Sequence, residues 1–363
     1  MSNHLRAGEF NNSLFLFGIA TSHHFEDSMK EVGSPNLLFE NVDLTPIQSI
    51  LWKGLHREGA GKPVVYNPVC DLRALMLRQI LQVPYMKDLV KRLRRDLCLR
   101  RMCGYGDRAP CEAHFSQMKR RIGPESFRMV EAHLRHEALR IRESQPLAAV
   151  GLIQAASLDA TALPAWSSRD PHDNTRGFGD PEARLGRGPK GFYLGYQSLF
   201  MVDMEGFPLG HMEASANLNE KLLVEPLLDR VLGEDLEVEL GVGDSQLESP
   251  RVFKMLEERK IGHIIVWRRM KGRDNPSDVL TVKDRISVEG PEHLRCIYHR
   301  LKAMSESLNG RVKARLAYSR FTWQGLGNAS IHVSIIFCIV YAAVIAAYRI
   351  GRPELRYSIA HFA

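Results

Sequence analysis

The sequence predicts an α/β fold, a mixed sheet with packed helices, preceded by a helical and basic N-terminal region. Two observations predict it. Apolar residues between 71 and about 142 recur at three- and four-residue spacing, the signature of amphipathic helices. Beyond residue 146, short apolar runs alternate with helical runs, the pattern of strands layered with helices. The composition agrees with a folded chain: of 363 residues, 44% are apolar and 25% charged, which sets aside collagen-like, coiled-coil and disordered classes.

Taken in order, residues 1 to about 60 hold scattered apolar clusters without a clear period. Leu72, Leu75, Met76, Ile80 and Leu81 then mark a helix that Pro84 ends. A second helix is expected from Met86 to Leu99, and Pro110 opens a third with Phe115, Met118 and Ile122 on one face. A domain boundary is expected near 146, followed by a strand in LAAVGLIQAASLDATAL that ends near Asp159. The polar stretch from Ser167 to Lys190 predicts a loop. FYLGYQSLFMVD and PLGHMEA predict a hairpin turning at Glu205 and Gly206. A helix over Asn217 to Leu232, a strand ending at Asp244, a helix over Pro250 to Lys260 and a buried strand in IGHIIVW follow. Helices over 294–315 and 328–348 complete the pattern.

Charge narrows the partner class. The chain carries 49 Lys and Arg against 42 Asp and Glu, for a net +7. Residues 71–142 alone hold 17 Lys and Arg against 8 Asp and Glu, so the excess is concentrated there. Lys87, Lys91, Arg92, Arg94, Arg95, Arg100 and Arg101 are dense enough to neutralise several phosphates of a duplex, although a solvated helix surface has the same composition.

Six cysteines are too few for a disulfide framework and suit a reducing compartment. Cys98, Cys103, Cys111 and His114 crowd together without the spacing of a zinc site, so unligated thiols are expected. The N-terminus carries no pattern of a secretory leader. The apolar run Ile335 to Tyr348 is 14 residues long, shorter than a bilayer needs, and predicts a buried core helix.

Three carboxylates occupy positions from which chemistry could be done: Asp159 near a strand end, Asp244 just beyond another strand, and Glu306 within a late helix. Hard divalent cations take oxygen ligands, and a pair of them stabilises both oxygens of a phosphodiester displacement. Singly, each acid also fits a turn, a helix cap or a surface ion pair. His299, Lys302, Glu306 and Lys313 lie at offsets of 0, 3, 7 and 14, so they share one helix face.

Together these blocks resemble the DDE transposases of prokaryotic insertion sequences, in the group with a Tyr, Arg, Glu, Lys signature around the third carboxylate. LRALMLRQILQVPYMKDLVKRLRRDLCLRRMCGY is similar to their helical region, LDATALPAW to the first-Asp motif, and GVGDSQLESPRVFKMLEERKIGHIIVWRR to the second-Asp block. The resemblance implies Asp159, Asp244 and Glu306 as the catalytic, metal-binding acids, with Lys313 at the signature's Lys position. Lys302 stands at the Arg position, losing the bidentate fork, and His299 at the Tyr position.

What the resemblance implies further is a ribonuclease H-like catalytic domain over 146–348, a helical DNA-binding domain over 1–145 and a tail over 349–363. It implies two Mg²⁺ ions, with Mn²⁺ able to substitute, and metal-dependent cleavage and strand transfer at the ends of a mobile element. Lys302, Lys313, His299, Lys190, Arg268 and Arg269 are the expected DNA contacts. The partners are double-stranded DNA, at element ends and target, and a second copy of the chain; neither membrane nor small-molecule substrate is expected. The expected place is the cytoplasm, at the nucleoid. The alternative is a decayed, transposase-derived protein that binds DNA without cutting it.

Overall fold

In the computed structural model, the described residues are 35–55, 64–144, 154–188, 191–234, 236–265 and 292–362. Among the described residues, helical residues 35–41 are followed before the sheet by α1 (Gln48–Leu55), α2 (Pro68–Ile80), α3 (Met86–Arg95), α4 (Leu97–Met102) and α5 (Glu112–Glu143). Helix α2 begins where Asn67 accepts a hydrogen bond from Val69 N and Pro68 takes the first turn. The single helix expected over Met86 to Leu99 is two. Asp96 leaves helical geometry and its side chain caps α4 by accepting from Leu99 N at 3.0 Å. Helix α5 runs through a kink at Gly123, where φ is 73° and Pro124 follows.

The sheet comprises β1 (Ala155–Pro164), β2 (Arg184–Gly188), β3 (Gly191–Asp203), β4 (Pro208–Ser215), β5 (Leu240–Gly243) and β6 (Gly262–Ile265). Its order is β2-β3-β1-β5-β6, with β4 also on β3 beside β2. The hairpin half is antiparallel, whereas β1, β5 and β6 are parallel, so the sheet is mixed. Three differences from expectation have local causes. Strand β2 forms inside the stretch expected to be a loop, because Arg184 to Gly188 pair with the first residues of β3. Strand β1 passes beyond Asp159, since residues up to Pro164 keep pairing with β3. Strand β5 stops at Gly243, so Asp159 has no strand partner on that side.

Helices α6 (Lys221–Gly233) and α7 (Pro250–Glu258) connect the later strands. Helix α8 (Glu292–Arg315) lies on the parallel half, and α9 (Leu326–Arg349) packs against α5, α2 and β4. Helix α9 is apolar and long enough to cross a membrane by length and composition, yet its most apolar stretch is wholly buried. Protein atoms cover it, as the sequence reading of a core helix expected. One apolar core runs without interruption from Leu38 through α5 and the sheet to α9 and Phe362. After α9, a 3-10 turn (Pro353–Leu355) and α10 (Ile359–Phe362) fold the last described residues back onto the body.

The cysteine cluster is organised around other bonds. His114 Nε2 lies 2.8 Å from Asp71 Oδ2, and the Tyr105 hydroxyl donates to Asp71 Oδ1 at 2.6 Å.

Candidate active site

Parallel pairing decides where the two aspartates stand. Ser157 of β1 pairs with Val242 of β5, and two residues further along each segment are Asp159, within β1, and Asp244, one residue past the end of β5. Successive side chains alternate across a strand, so Asp159 shares a face with Ser157. That face looks at α8: Ser157 Oγ donates to Ser305 Oγ at 3.2 Å, and both serines are buried. Small side chains at the contact let the helix approach closely. A second apolar cluster of Ala155, Val242, Ile264 and Leu301, with Ile297 and Tyr298 at its border, pins the helix there. The residue after Leu301 is Lys302.

Lys302 Nζ donates to Asp159 Oδ1 at 2.6 Å and stands 3.9 Å from Asp244 Oδ2. Burial alone would lower the ammonium's pKa, but Asp159 and then Asp244 raise it above the ordinary lysine range. Asp244 is held in turn by accepting from Gln246 N at 2.9 Å. Asp159 is largely enclosed, with its side chain 11% exposed, whereas that of Asp244 is 36% exposed. The pair therefore has a closed end and an open one.

Glu306 lies one turn beyond Lys302 on α8 and is exposed. Tyr298 links it electrostatically to the aspartates: burial raises the phenol's pKa, Lys302 opposes, and Asp244, Glu306 and Asp159 all add to the rise. Among the described residues, no three His, Cys, Asp or Glu side chains stand close enough to hold one metal ion. The ammonium of Lys302 stands between the two aspartates instead.

One carboxylate at the site was not anticipated from sequence. Glu220, just before α6, has its pKa raised to about 7 by burial and then by Asp244 and Asp159. It sits at the polar start of a helix, and nothing in its own neighbourhood along the chain marks it; its position comes from the crossover that returns β4 to β5.

Of the expected DNA contacts, Lys302 is inside the acid cluster, while His299 and Lys313 are exposed on the same helix. The His299 ring meets Tyr298 edge-on, with centroids 5.4 Å apart, and it is Tyr298 that faces the acids. Lys190, Arg268 and Arg269 lie outside the described residues. On the helical side, Lys87, Lys91, Arg94 and Arg95 line a groove of roughly 360 Å³ with one acid, Glu112.

The chemistry of the site is that of excess negative charge around oxygen donors, at the carboxyl end of β5 beside the middle of β1. Comparisons with known proteins bear on the other half of the chain. Residues 29–121, which include α1 to α4 and the start of α5, match a family described as a transposase domain (DUF772). No curated protein matches the chain. Among solved structures, it is similar to a piggyBac transposase determined by cryo-EM as a synaptic complex with hairpin DNA. Identity is 11% and the TM-score 0.45, over 90% of this chain and 79% of that one. At that distance the sheet must speak for itself, and what the comparisons add is the likeness of residues 29–121 to that domain family.

Proposed function

We propose that the protein is a DDE-type transposase, which hydrolyses a phosphodiester at each end of a mobile DNA element and joins the freed 3′-hydroxyl to target DNA. The observation that carries this reading is the placement of Asp159 and Asp244 at one level of neighbouring parallel strands, around a single cation, beneath the helix that bears Glu306. An antiparallel hairpin beside three parallel strands supports a ribonuclease H-like catalytic part. The transposase-domain match supports a DNA-binding role for the helices before it.

The donors are of the type magnesium takes, but as they stand no three of them meet on one ion, so binding requires Glu306 to turn toward the aspartates. All candidate ligands are carboxylate oxygens, their charge exceeds that of Lys302, and the ammonium marks a position where a cation is stabilised. Asp159, Asp244 and Glu306 are the residues that would hold two Mg²⁺, or Mn²⁺. Bound there, the ions would supply Lewis-acid polarisation of the phosphate and a water of lowered pKa. The remaining work belongs to the chain. Lys302 stays beside the aspartates and holds a phosphate oxygen, and Tyr298, kept protonated by burial and acidic neighbours, donates a hydrogen bond to another. Lys313 and His299 meet flanking phosphates, with Lys190, Arg268 and Arg269 as further contacts. The basic groove over Lys87, Lys91, Arg94 and Arg95 tracks the duplex backbone. Two ends must be joined in one complex, so the working form is a dimer on DNA, at the nucleoid.

The test is cleavage of a duplex bearing the element's ends, with and without Mg²⁺. Asp159→Asn and Asp244→Asn should each lose on the order of a thousandfold or more in rate, because several kcal/mol of charge stabilisation go with the ligand. DNA binding should persist. Substantial cleavage by either variant overturns the assignment.

A second reading is favoured by one observation. Lys302 fills the space between the aspartates and Glu306 is exposed, as in a copy that binds DNA but no longer cuts. It predicts salt-sensitive DNA binding and no Mg²⁺-dependent nicking by the unaltered chain.

A further inference from the structure

A second cationic site lies away from the acids, where the kink of α5 faces the start of α9. The groove there encloses roughly 750 Å³ and is lined by Lys119, Arg120, Gln117, Trp323, Gln324 and Asn328 among others. Among the described residues, no carboxylate lines it. Lys119 is only 5% exposed, donates to Asn328 Oδ1 at 3.2 Å, and holds its ammonium 3.2 Å from the centre of the Trp323 ring. A second cation shares the indole: the Arg78 guanidinium, 1% exposed, lies 4.9 Å from the same centre.

An indole face and an amide oxygen compensate a desolvated ammonium only in part. The electrostatics register the shortfall. Burial and then the charge of Arg78 hold Lys119 well below the ordinary lysine pKa, and no acid among the described residues acts in the other direction. Buried cations are normally paired, and among the described residues these two have no acid beside them. The groove's lining therefore suits an anion. It offers such a ligand an ammonium, a guanidinium at the rim in Arg120, and the side-chain amides of Gln117, Gln324 and Asn328. Both this groove and the basic groove of α3 reach the first turn of α5, where Glu112 lines one and Ala113 the other.

We propose that this groove is a phosphate-binding site in which Lys119 and Arg120 take the oxyanion of one phosphodiester of the DNA backbone. The choice of DNA rather than free phosphate rests on the function proposed above; the anion site itself does not. Occupied in this way, the site adds a contact on α5 and the start of α9 to those of the basic groove on α3.

Two measurements on the full chain separate the sources. The first follows thermal unfolding and tryptophan emission during titration with inorganic phosphate against chloride at matched ionic strength. The second measures the slope of log K against log salt for a duplex, for the unaltered chain, Lys119→Met and Arg120→Gln. A DNA-backbone site predicts that each variant lowers the magnitude of the slope by about 1, the share of one phosphate contact. Lys119→Met should also melt higher than the unaltered chain in chloride, because the uncompensated charge is gone, and Trp323→Phe should remove any phosphate-linked emission change. Arg120→Gln, on the exposed rim, keeps the test alive should Lys119→Met fold poorly. Phosphate-dependent stabilisation lost in both variants, with an unchanged DNA slope, assigns the site to free phosphate and refutes the DNA source. If the unaltered chain binds no DNA but still responds to phosphate, the anion site stands while the transposase reading fails. Unchanged slopes together with no phosphate response in any chain overturn the inference and leave that reading intact.

Discussion

Two ionic clusters lie within the sheet region, and they are built to opposite specifications. Beneath β4, His211 is buried between Glu131 of α5 and Glu213, with Nε2 2.6 Å from one and Nδ1 2.7 Å from the other. Arg135 pairs with Glu131 at 3.9 Å and with Glu234, Arg230 donates to the His211 carbonyl at 2.6 Å, and Ser198 donates to Glu213 at 2.9 Å. Acids and bases there are matched, and His211, Glu131, Glu213 and Arg135 are buried. At the end of β5, by contrast, Asp159, Asp244 and Glu220 surround Lys302, and the cluster is open at Asp244. A balanced cluster fastens one element to another; one left acidic and reachable from solvent is what the proposed cation site requires. Charge balance and access, more than the number of ion pairs, separate the two roles.

The comparison can be broken most directly at Glu131. Glu131→Leu leaves His211 and Arg135 with one acid fewer in a dry place, so a loss of about 3–5 kcal/mol is expected, read as a large fall in Tm. A change of under about 1 kcal/mol would mean that the buried cluster does no fastening.

The next largest effect is a pH dependence. Burial pushes the His211 pKa down, but Glu131 and Glu213 outweigh it and raise it to about 9 from an ordinary 6.5. The folded state therefore binds the proton more tightly than the unfolded chain. The resulting stability is complete below about pH 6.5 and is lost as pH rises through about 9, on the order of 3 kcal/mol in all. Unfolding measured between pH 6 and pH 10 should show that decline, and His211→Gln should flatten it.

At the open cluster, Lys302→Met removes the ammonium and leaves the aspartates to repel. In chelator, a loss of about 1–2 kcal/mol is expected, less than for Glu131 because solvent reaches Asp244. Mg²⁺ should restore more stability to this variant than to the unaltered chain. Equal responses would argue against a cation site.

The smallest effect is at Glu220. Its raised pKa means that the folded state favours the protonated carboxyl, so stability present below about pH 4.5 is lost as pH rises through about 7. Glu220→Gln should melt a few degrees higher than the unaltered chain at pH 8 and match it at pH 4.

Much of the architecture was legible because it is periodic or punctuated. Leu72 to Leu81 announced α2, Pro250 began α7, and the hairpin turned at Glu205 and Gly206, where Asp203 accepts from both Glu205 N and Phe207 N. The break at Asp96 was missed because a capping aspartate inside a basic helical run reads as one more polar residue. Strand β2 was missed because Arg184 to Gly188 have no alternation and become a strand only by pairing with β3. At the site, Asp159 and Asp244 stood out by their relation to strands. The salt link of Lys302 to Asp159 spans 143 positions, and no local pattern encodes it. Glu220 was invisible for the same reason.

Helix α9 carries a consequence for how the chain comes into being. A growing polypeptide folds from its beginning, yet the slot between α5 and β4 is filled by residues 326–349. Until that segment arrives, the residues before it hold open a greasy cleft, sticky toward neighbours and attractive to chaperones. A product terminated before Leu326 should therefore clump rather than linger as a smaller working version, and any shortened copies that persist should be cut elsewhere.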